Sequence, residues 1–187
     1  LNVSRLQTGR FMVERRPTDL VSVIKQEIDS LGITAEGRKL SFKLTMPKKL
    51  PLLLLDEAKM RQVIMNFADN ALYYSRPGTV VRVKLMLEDG WLLFTVKDTG
   101  IGVPAAEQKQ LFTKFYRASN ARRQRPDGTG VGLFLAKRVI TEHGGEVVFT
   151  SEEGKGSTFG FRLPEHILLA RHNTDELNKQ PNDDPDN

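Results

Sequence analysis

Trp91-Leu92-Leu93-Phe94-Thr95-Val96-Lys97-Asp98-Thr99-Gly100-Ile101-Gly102 joins an apolar run to a carboxylate that is followed by two glycines. The run reads as a buried strand, which predicts that Asp98 projects from the strand's end into a pocket floor. A carboxylate in that place suits a flat, amine-bearing ring, and Gly100 and Gly102 would let backbone approach a ligand closely. D-x-G-x-G also describes many strand-to-loop turns, so its meaning depends on what accompanies it.

Working upstream, Thr79 to Leu87 and Glu88-Asp89-Gly90 complete a β-hairpin with this strand, and an antiparallel sheet is expected. Before it, residues 56–75 form the clearest helix. At about 100° per residue, Met60, Val63, Ile64, Phe67, Ala71 and Tyr74 fall on one arc, the expected core face. Gln62, Asn66, Asn70 and Tyr73 lie side by side along its flank. One Asn in mid-helix is ordinarily a solvent-exposed residue. Two, four residues apart beside a buried stripe, can direct their oxygens at phosphate or a hard cation such as Mg²⁺. Earlier still, Pro17-Thr18-Asp19 is expected to start a helix on Leu20, Val23, Ile24, Ile28 and Leu31 that Gly32 stops. Residues 39–46 and 52–55 read as strands.

Downstream, residues 104–111 read as a short helix, and 112–127 as a polar, Arg-rich loop too long for a simple connector. Gly128-Thr129-Gly130-Val131-Gly132-Leu133 opens a helix over 131–143. Glycines there expose N–H groups at a positive helix end, an anion site. The spacing fits neither a P-loop nor a Rossmann fingerprint. Gly154-Lys155-Gly156-Ser157-Thr158-Phe159 enters the last of two strands, 146–150 and 157–163; as a plain reading it is a hairpin turn, and Thr158 is placed to reach whatever Asp98 holds.

Composition narrows the classes. The chain has 187 residues, 39% hydrophobic, enough for one core. It has no cysteine, which excludes disulfides and thiolate metal sites and is compatible with a reducing, cytoplasmic location. Residues 50–55 are its longest apolar stretch, far short of a bilayer span. The net charge is +5, and the acidic segment after Pro164 leaves the rest more basic still. The bases are scattered apart from Arg122, Arg123 and Arg125, with no aromatic ladder, so a small polyanion fits better than nucleic acid.

The Asn pair, D-x-G-x-G, Phe112-x-x-Phe115-Tyr116-Arg117, G-T-G-x-G-L and G-x-G-S-T-F occur in this order along the chain. Together they closely resemble the catalytic and ATP-binding domain of bacterial sensor histidine kinases. The resemblance implies an α+β fold: a two-layer α/β sandwich with helices on one face of a mixed, mainly antiparallel sheet, the Bergerat-type ATP-binding fold. It implies a catalytic domain over 17–164, preceded at 1–16 by the end of a dimerisation helix and linker. Residues 165–187 are expected to be a disordered tail.

By the same resemblance, the cofactors are ATP and Mg²⁺. Asp98 would accept a hydrogen bond from the adenine amino group, with Thr158 assisting through water, and Gly100 and Gly102 would shape the pocket. Asn66 and Asn70 would hold Mg²⁺ against the triphosphate. Gly128, Thr129, Gly130, Val131, Gly132 and Leu133 would form the phosphate loop, and Phe112 and Phe115 would anchor a lid. Arg117, or one of Arg122, Arg123 and Arg125, would meet the γ-phosphate, with Arg117 and Arg122 standing first.

Two departures matter. Three residues after the second Asn the family usually carries Lys or Arg, and here Tyr73 stands in that flank. The phosphate acceptor, a histidine on the dimerisation helices, is also missing, since His143, His166 and His172 fit no such motif. The implied partners are therefore a histidine-containing dimerisation domain of the same parent protein and a response regulator, with this piece a monomer and the parent a homodimer. A related ATPase and a non-catalytic ATP-binding module are the alternatives. In gyrase-like ATPases the first residue of the pair is a glutamate base, and the Asn66 amide cannot take a proton at neutral pH.

Overall fold

A computed structural model of the chain describes residues 11–167. Its strands and helices in chain order are β1 (Arg16–Thr18), α1 (Leu20–Ser30), α2 (Gly32–Gly37), β2 (Ser41–Thr45), β3 (Leu53–Leu55), α3 (Glu57–Tyr74), β4 (Val80–Glu88), β5 (Trp91–Lys97), α4 (Ser119–Gln124), α5 (Gly132–Glu142), β6 (Glu146–Glu152) and β7 (Gly156–Pro164). Short 3-10 turns occupy Ala105–Gln110 and Glu165–Ile167. Five strands form one sheet in the order β2-β4-β5-β7-β6. Only β2 and β4 run parallel; the other neighbours are antiparallel.

The expected two-layer α+β sandwich is what the residues build. Alternation along β4, β5 and β7 sends Val81, Val83, Leu85, Leu92, Phe94, Val96, Phe159, Phe161 and Leu163 to one buried face. Against that face α3 buries Met60, Val63, Ile64, Phe67, Ala68, Ala71 and Leu72, flanked by α1 and α5. Phe94 stacks on Phe161 at 5.0 Å and Phe67 on Phe159 at 5.9 Å between ring centroids. The hairpin expected between β4 and β5 closes through Asp89 and Gly90, both at positive φ (50° and 77°), the two-residue turn that suits the twist of its strands.

The structure corrects the sequence reading in several places. Thr18 belongs to β1, which pairs with β3 in a separate two-stranded sheet; α1 begins after it, with Asp19 as N-cap accepting from the Ser22 N–H. Gly32 does not end the helical path, because α2 follows Leu31 directly. The Arg-rich loop contains α4. Tyr74, expected in the core, lines a cleft instead. Packed structure also continues past residue 164: the Glu165 N–H donates to the Gly90 carbonyl at 2.8 Å and Ile167 packs on the core. The expected dimerisation-helix remnant and disordered tail fall almost entirely outside the described residues.

Residues 11–15 enter along the joint between α3 and α5. The Glu14 N–H donates to Asp56 Oδ2 at 3.0 Å, and Arg15 Nη2 donates to the Glu142 carbonyl at 2.6 Å. Asp56 also caps α3 by accepting from the Lys59 N–H. At the far end of the same pair, Asn66 Nδ2 donates to the Gly132 carbonyl at 3.2 Å. Among the described residues no helix is long and apolar enough to cross a membrane.

Candidate nucleotide-binding site

A cleft of about 270 Å³ opens between the flank of α3, the end of β5, the start of α5 and the segment carrying α4. It brings together Asn66, Asn70, Asp98, Gly102, Arg117, Gly128, Thr129, Gly130, Gly132 and Leu133, residues that lie far apart in sequence.

Asp98 lies at its floor, 5% exposed. Its Oδ1 accepts from the Gly100 N–H at 2.8 Å and from the Ser157 N–H at 3.2 Å. Oδ2 has no donor among the described residues. Burial, the largest influence, pushes this carboxyl's pKa up, against the two N–H donors that lower it. The result is a fixed acceptor oxygen in a dry place, suited to an amine donor on an aromatic ring.

The two glycines after Asp98 are needed for a reason other than ligand approach. A Cβ on Gly100 would overlap the Tyr74 carbonyl, and one on Gly102, at φ 63°, would overlap the Glu152 carbonyl. They let the β5 exit pass under α3 and the β6–β7 turn.

On the opposite side, α5 starts at Gly132 with Val131 as N-cap and no side chain capping it. Its first N–H groups are left for an anion. The side-chain amide of Asn66 donates to Gly132, which leaves its oxygen to other partners. Asn70 and Asp69 add further oxygens to the same wall. No cluster of three or more His, Cys, Asp or Glu able to hold a metal occurs among the described residues.

Other expected residues lie elsewhere. Thr158 does not line the cleft: it pairs with Lys97 and Thr150 on the outer face of the sheet, while Ser157, one residue earlier, is buried at the cleft wall. Val131, Gly100 and Arg122 are not at the cleft wall, and Arg122 is exposed. Phe112 packs edge-on against Phe149 and Phe159, at 5.8 and 6.3 Å, behind the cleft. Phe115 is 64% exposed with φ 66°, its N–H donating to the Gly130 carbonyl at 2.9 Å. Arg117 reaches the cleft, yet its guanidinium donates to the carbonyls of Ala121, Arg125 and Pro126. Tyr73 is not at the cleft wall, and its ring packs with the guanidinium groups of Arg38 and Arg125. The sequence reading gave no role to Ser157, Asp69 or Tyr116, which all line the site. Period-two alternation from Phe159 was the signal for Ser157.

The sheet with its single helical layer and a buried carboxylate facing an uncapped helix start define the Bergerat-type class of ATP-binding domains. Residues 55–167 match the family described as histidine kinase-, DNA gyrase B- and HSP90-like ATPase, and the chain belongs to that family. It is 33% identical over 171 residues to the circadian input-output histidine kinase CikA of Synechococcus elongatus, covering 90% of this chain and 23% of CikA. To the adaptive-response sensory kinase SasA of a Synechococcus strain it is 36% identical over 172 residues, covering 91% of this chain and 45% of SasA. The structure of full-length ShkA in complex with AMPPNP matches with a TM-score of 0.73 at 28% identity, over 86% of this chain and 33% of that one. The chain thus spans less than half the length of these relatives.

Proposed function

We propose that this chain is the ATP-binding catalytic portion of a sensor histidine kinase, binding Mg-ATP in the cleft and supplying its γ-phosphoryl group to a histidine on a dimerisation domain of the parent protein. The observation that carries this is Asp98: a buried carboxylate with one oxygen that takes no donor among the described residues, across one cleft from the start of α5, where no side chain among them caps the helix. Asp98 Oδ2 accepts from the adenine amino group, and the N–H groups at Gly132 and Leu133 receive phosphate oxygens. The likeness to ShkA, whose structure holds AMPPNP, supports the nucleotide.

The donor set fits Mg²⁺. The amide oxygens of Asn66 and Asn70 and the Asp69 carboxylate are hard, few and on one wall, and Mg²⁺ is ordinarily held by a few oxygens together with phosphate and water. Bound there, the ion would neutralise charge on the triphosphate. The chain's own work is positioning, which is most of what phosphoryl transfer asks of a protein. The terminal P–O bond breaks, a P–N bond forms to the acceptor imidazole, and ADP leaves. Passage of the phosphoryl group to a response regulator follows from the same reading. Hydrolysis fits less well, because the Asn66 amide offers no base to water.

Labelled ATP with Mg²⁺ and a separately prepared dimerisation domain test the proposal. Acid-labile label on histidine is expected, and its loss in Asp98→Asn. Release of free phosphate with no label on the acceptor would overturn it in favour of an ATPase.

A further inference from the structure

Tyr73, the last residue but one of α3, stands one turn beyond Asn70, and two guanidinium groups lie over its ring. Arg38 Cζ stands 4.4 Å from the ring centroid and Arg125 Cζ 4.5 Å. The Arg38 side is anchored: its Nη1 donates to the Leu72 and Tyr73 carbonyls at 3.1 and 3.0 Å, closing off the end of α3. The Arg125 side belongs to the segment over the cleft. Two reciprocal bonds join that segment to α3, Tyr73 Oη donating to the Gln124 carbonyl and Gln124 Nε2 donating to the Tyr73 carbonyl, each at 3.3 Å. The ring is therefore a platform held at the end of α3, against which a second cation packs.

Arg117 and Arg125 are the only basic side chains at the cleft wall among the described residues. Arg117 is engaged with three backbone carbonyls of the α4 segment, which it holds in shape. Besides the Tyr73 ring, the side-chain partners of Arg125 among the described residues are two carboxylates, Asp69 at 3.3 Å and Asp127 at 3.9 Å. Both carboxylates also line the cleft, and solvent reaches the pairs, so an arriving polyphosphate can displace them at modest cost.

We infer that Arg125 is the cation that meets the terminal phosphate and that Tyr73 is the positioning residue that presents it. This rests on the Mg-ATP reading above and adds to it which arginine acts and how it is held. Charge reaches the triphosphate from the α4 segment, and only while that segment is docked on α3 through the Tyr73 ring. Arg117 lines the cleft but keeps its donors on the carbonyls of the segment itself.

Affinities for ATP, ADP and adenosine, each with Mg²⁺, separate the possibilities. Arg125→Gln is expected to weaken ATP roughly tenfold or more, the size of one lost charge-assisted hydrogen bond, with a smaller change for ADP and none for adenosine. Tyr73→Ala is expected to lose the same preference for ATP over ADP in part, while Tyr73→Phe, which keeps the ring, retains most of it. Tyr73→Lys, which returns a cation to the flank, is expected to restore the preference in the Arg125→Gln background. An unchanged ATP-to-ADP ratio in Arg125→Gln would overturn the assignment of Arg125. Equal loss in Tyr73→Phe and Tyr73→Ala would overturn the stacking role. If the wild-type chain binds none of the three ligands, the nucleotide reading itself fails, and this inference with it.

Discussion

The Asp56 N–H donates to His143 Nε2 at 2.9 Å, fastening the start of α3 to the end of α5. The other ring nitrogen, Nδ1, faces the Val139 carbonyl at 2.7 Å and carries the proton, so the buried imidazole is neutral. A second proton would sit on the nitrogen that accepts from Asp56.

That arrangement sets a pH dependence. Burial, chiefly, holds the His143 pKa below its ordinary value; Arg15 and Lys59 lower it further, opposed by the Val139 carbonyl and Asp56. The unfolded chain takes up the proton near pH 6.5 and the folded chain resists it, so His143 favours the fold above about pH 6.5 and that advantage shrinks as pH falls below it. Urea midpoints between pH 5 and 8 should show the decline. His143→Leu should flatten that part of the curve and lower stability throughout by about 1–3 kcal/mol, because the Asp56 N–H loses its partner.

Asp98→Asn should separate stability from binding. The raised carboxyl pKa means that Asp98 favours the fold most below its unfolded pKa of about 3.9, and that this contribution is lost as pH rises through the folded value. At neutral pH the ionised group is therefore a cost to the empty protein. An amide keeps the acceptor for Gly100 and Ser157, so the melting temperature at pH 7 should hold or rise. ATP affinity should fall by about tenfold or more, as a charged acceptor is lost.

Ser157 and Thr158 offer a paired test. Ser157 Oγ shares a hydrogen bond with Ser151 Oγ at 2.9 Å at the cleft wall. Ser157→Ala should weaken nucleotide binding by about 0.5–1.5 kcal/mol. Thr158→Ala, on the outer face of the sheet, should leave calorimetric ATP binding where it was; the opposite ranking would reinstate Thr158.

Glu107 ties the segment over the cleft to the turn below it, accepting from Tyr116 Oη at 3.0 Å and from the Ser119 N–H at 2.7 Å. Removing it in Glu107→Ala should speed proteolytic cutting between residues 116 and 128, with the core fragment still intact. Unaltered cutting would mean that other contacts hold this segment.

Phe159 joins cleft and core, touching Phe67, Phe112 and Phe149 at centroid distances of 5.9, 6.3 and 4.9 Å. Phe159→Ala should cost about 3–5 kcal/mol in denaturant unfolding, the range for a large aromatic removed from a packed interior.

Local periodicity made much of this fold legible. Alternation in β4 and β5, the Asp89-Gly90 turn and the apolar stripe of α3 each depend on near neighbours, and each appears where expected. Pairing at a distance was not legible: Arg16-Pro17-Thr18 reads as a helix start, yet β1 exists because β3 lies beside it. α4 has six residues, too few for a helical period to show. At the cleft, residue types placed Asp98, Asn66 and the glycine loop together. The error at Thr158 was one of parity that Phe159 could have settled. Tyr73 was expected beside Asn66 and Asn70 at the ligand, but it is not at the cleft wall, and its ring packs with Arg38 and Arg125, which no spacing rule connects.

The entry of residues 14 and 15 between α3 and α5 has a mechanical consequence. Glu14 holds the first turn of α3 and Arg15 the last of α5, while Asn66 and Gly132 join the same two helices at the cleft. Gly132 and Glu142 are the two ends of α5, so these moorings are about 15 Å apart at 1.5 Å per residue. A pull on the incoming chain that slides one helix along the other is carried as shear to the phosphate end. Arg15→Ala should therefore alter amide exchange at Gly132 and Leu133 more than in β4, and equal change in both would argue against such transmission.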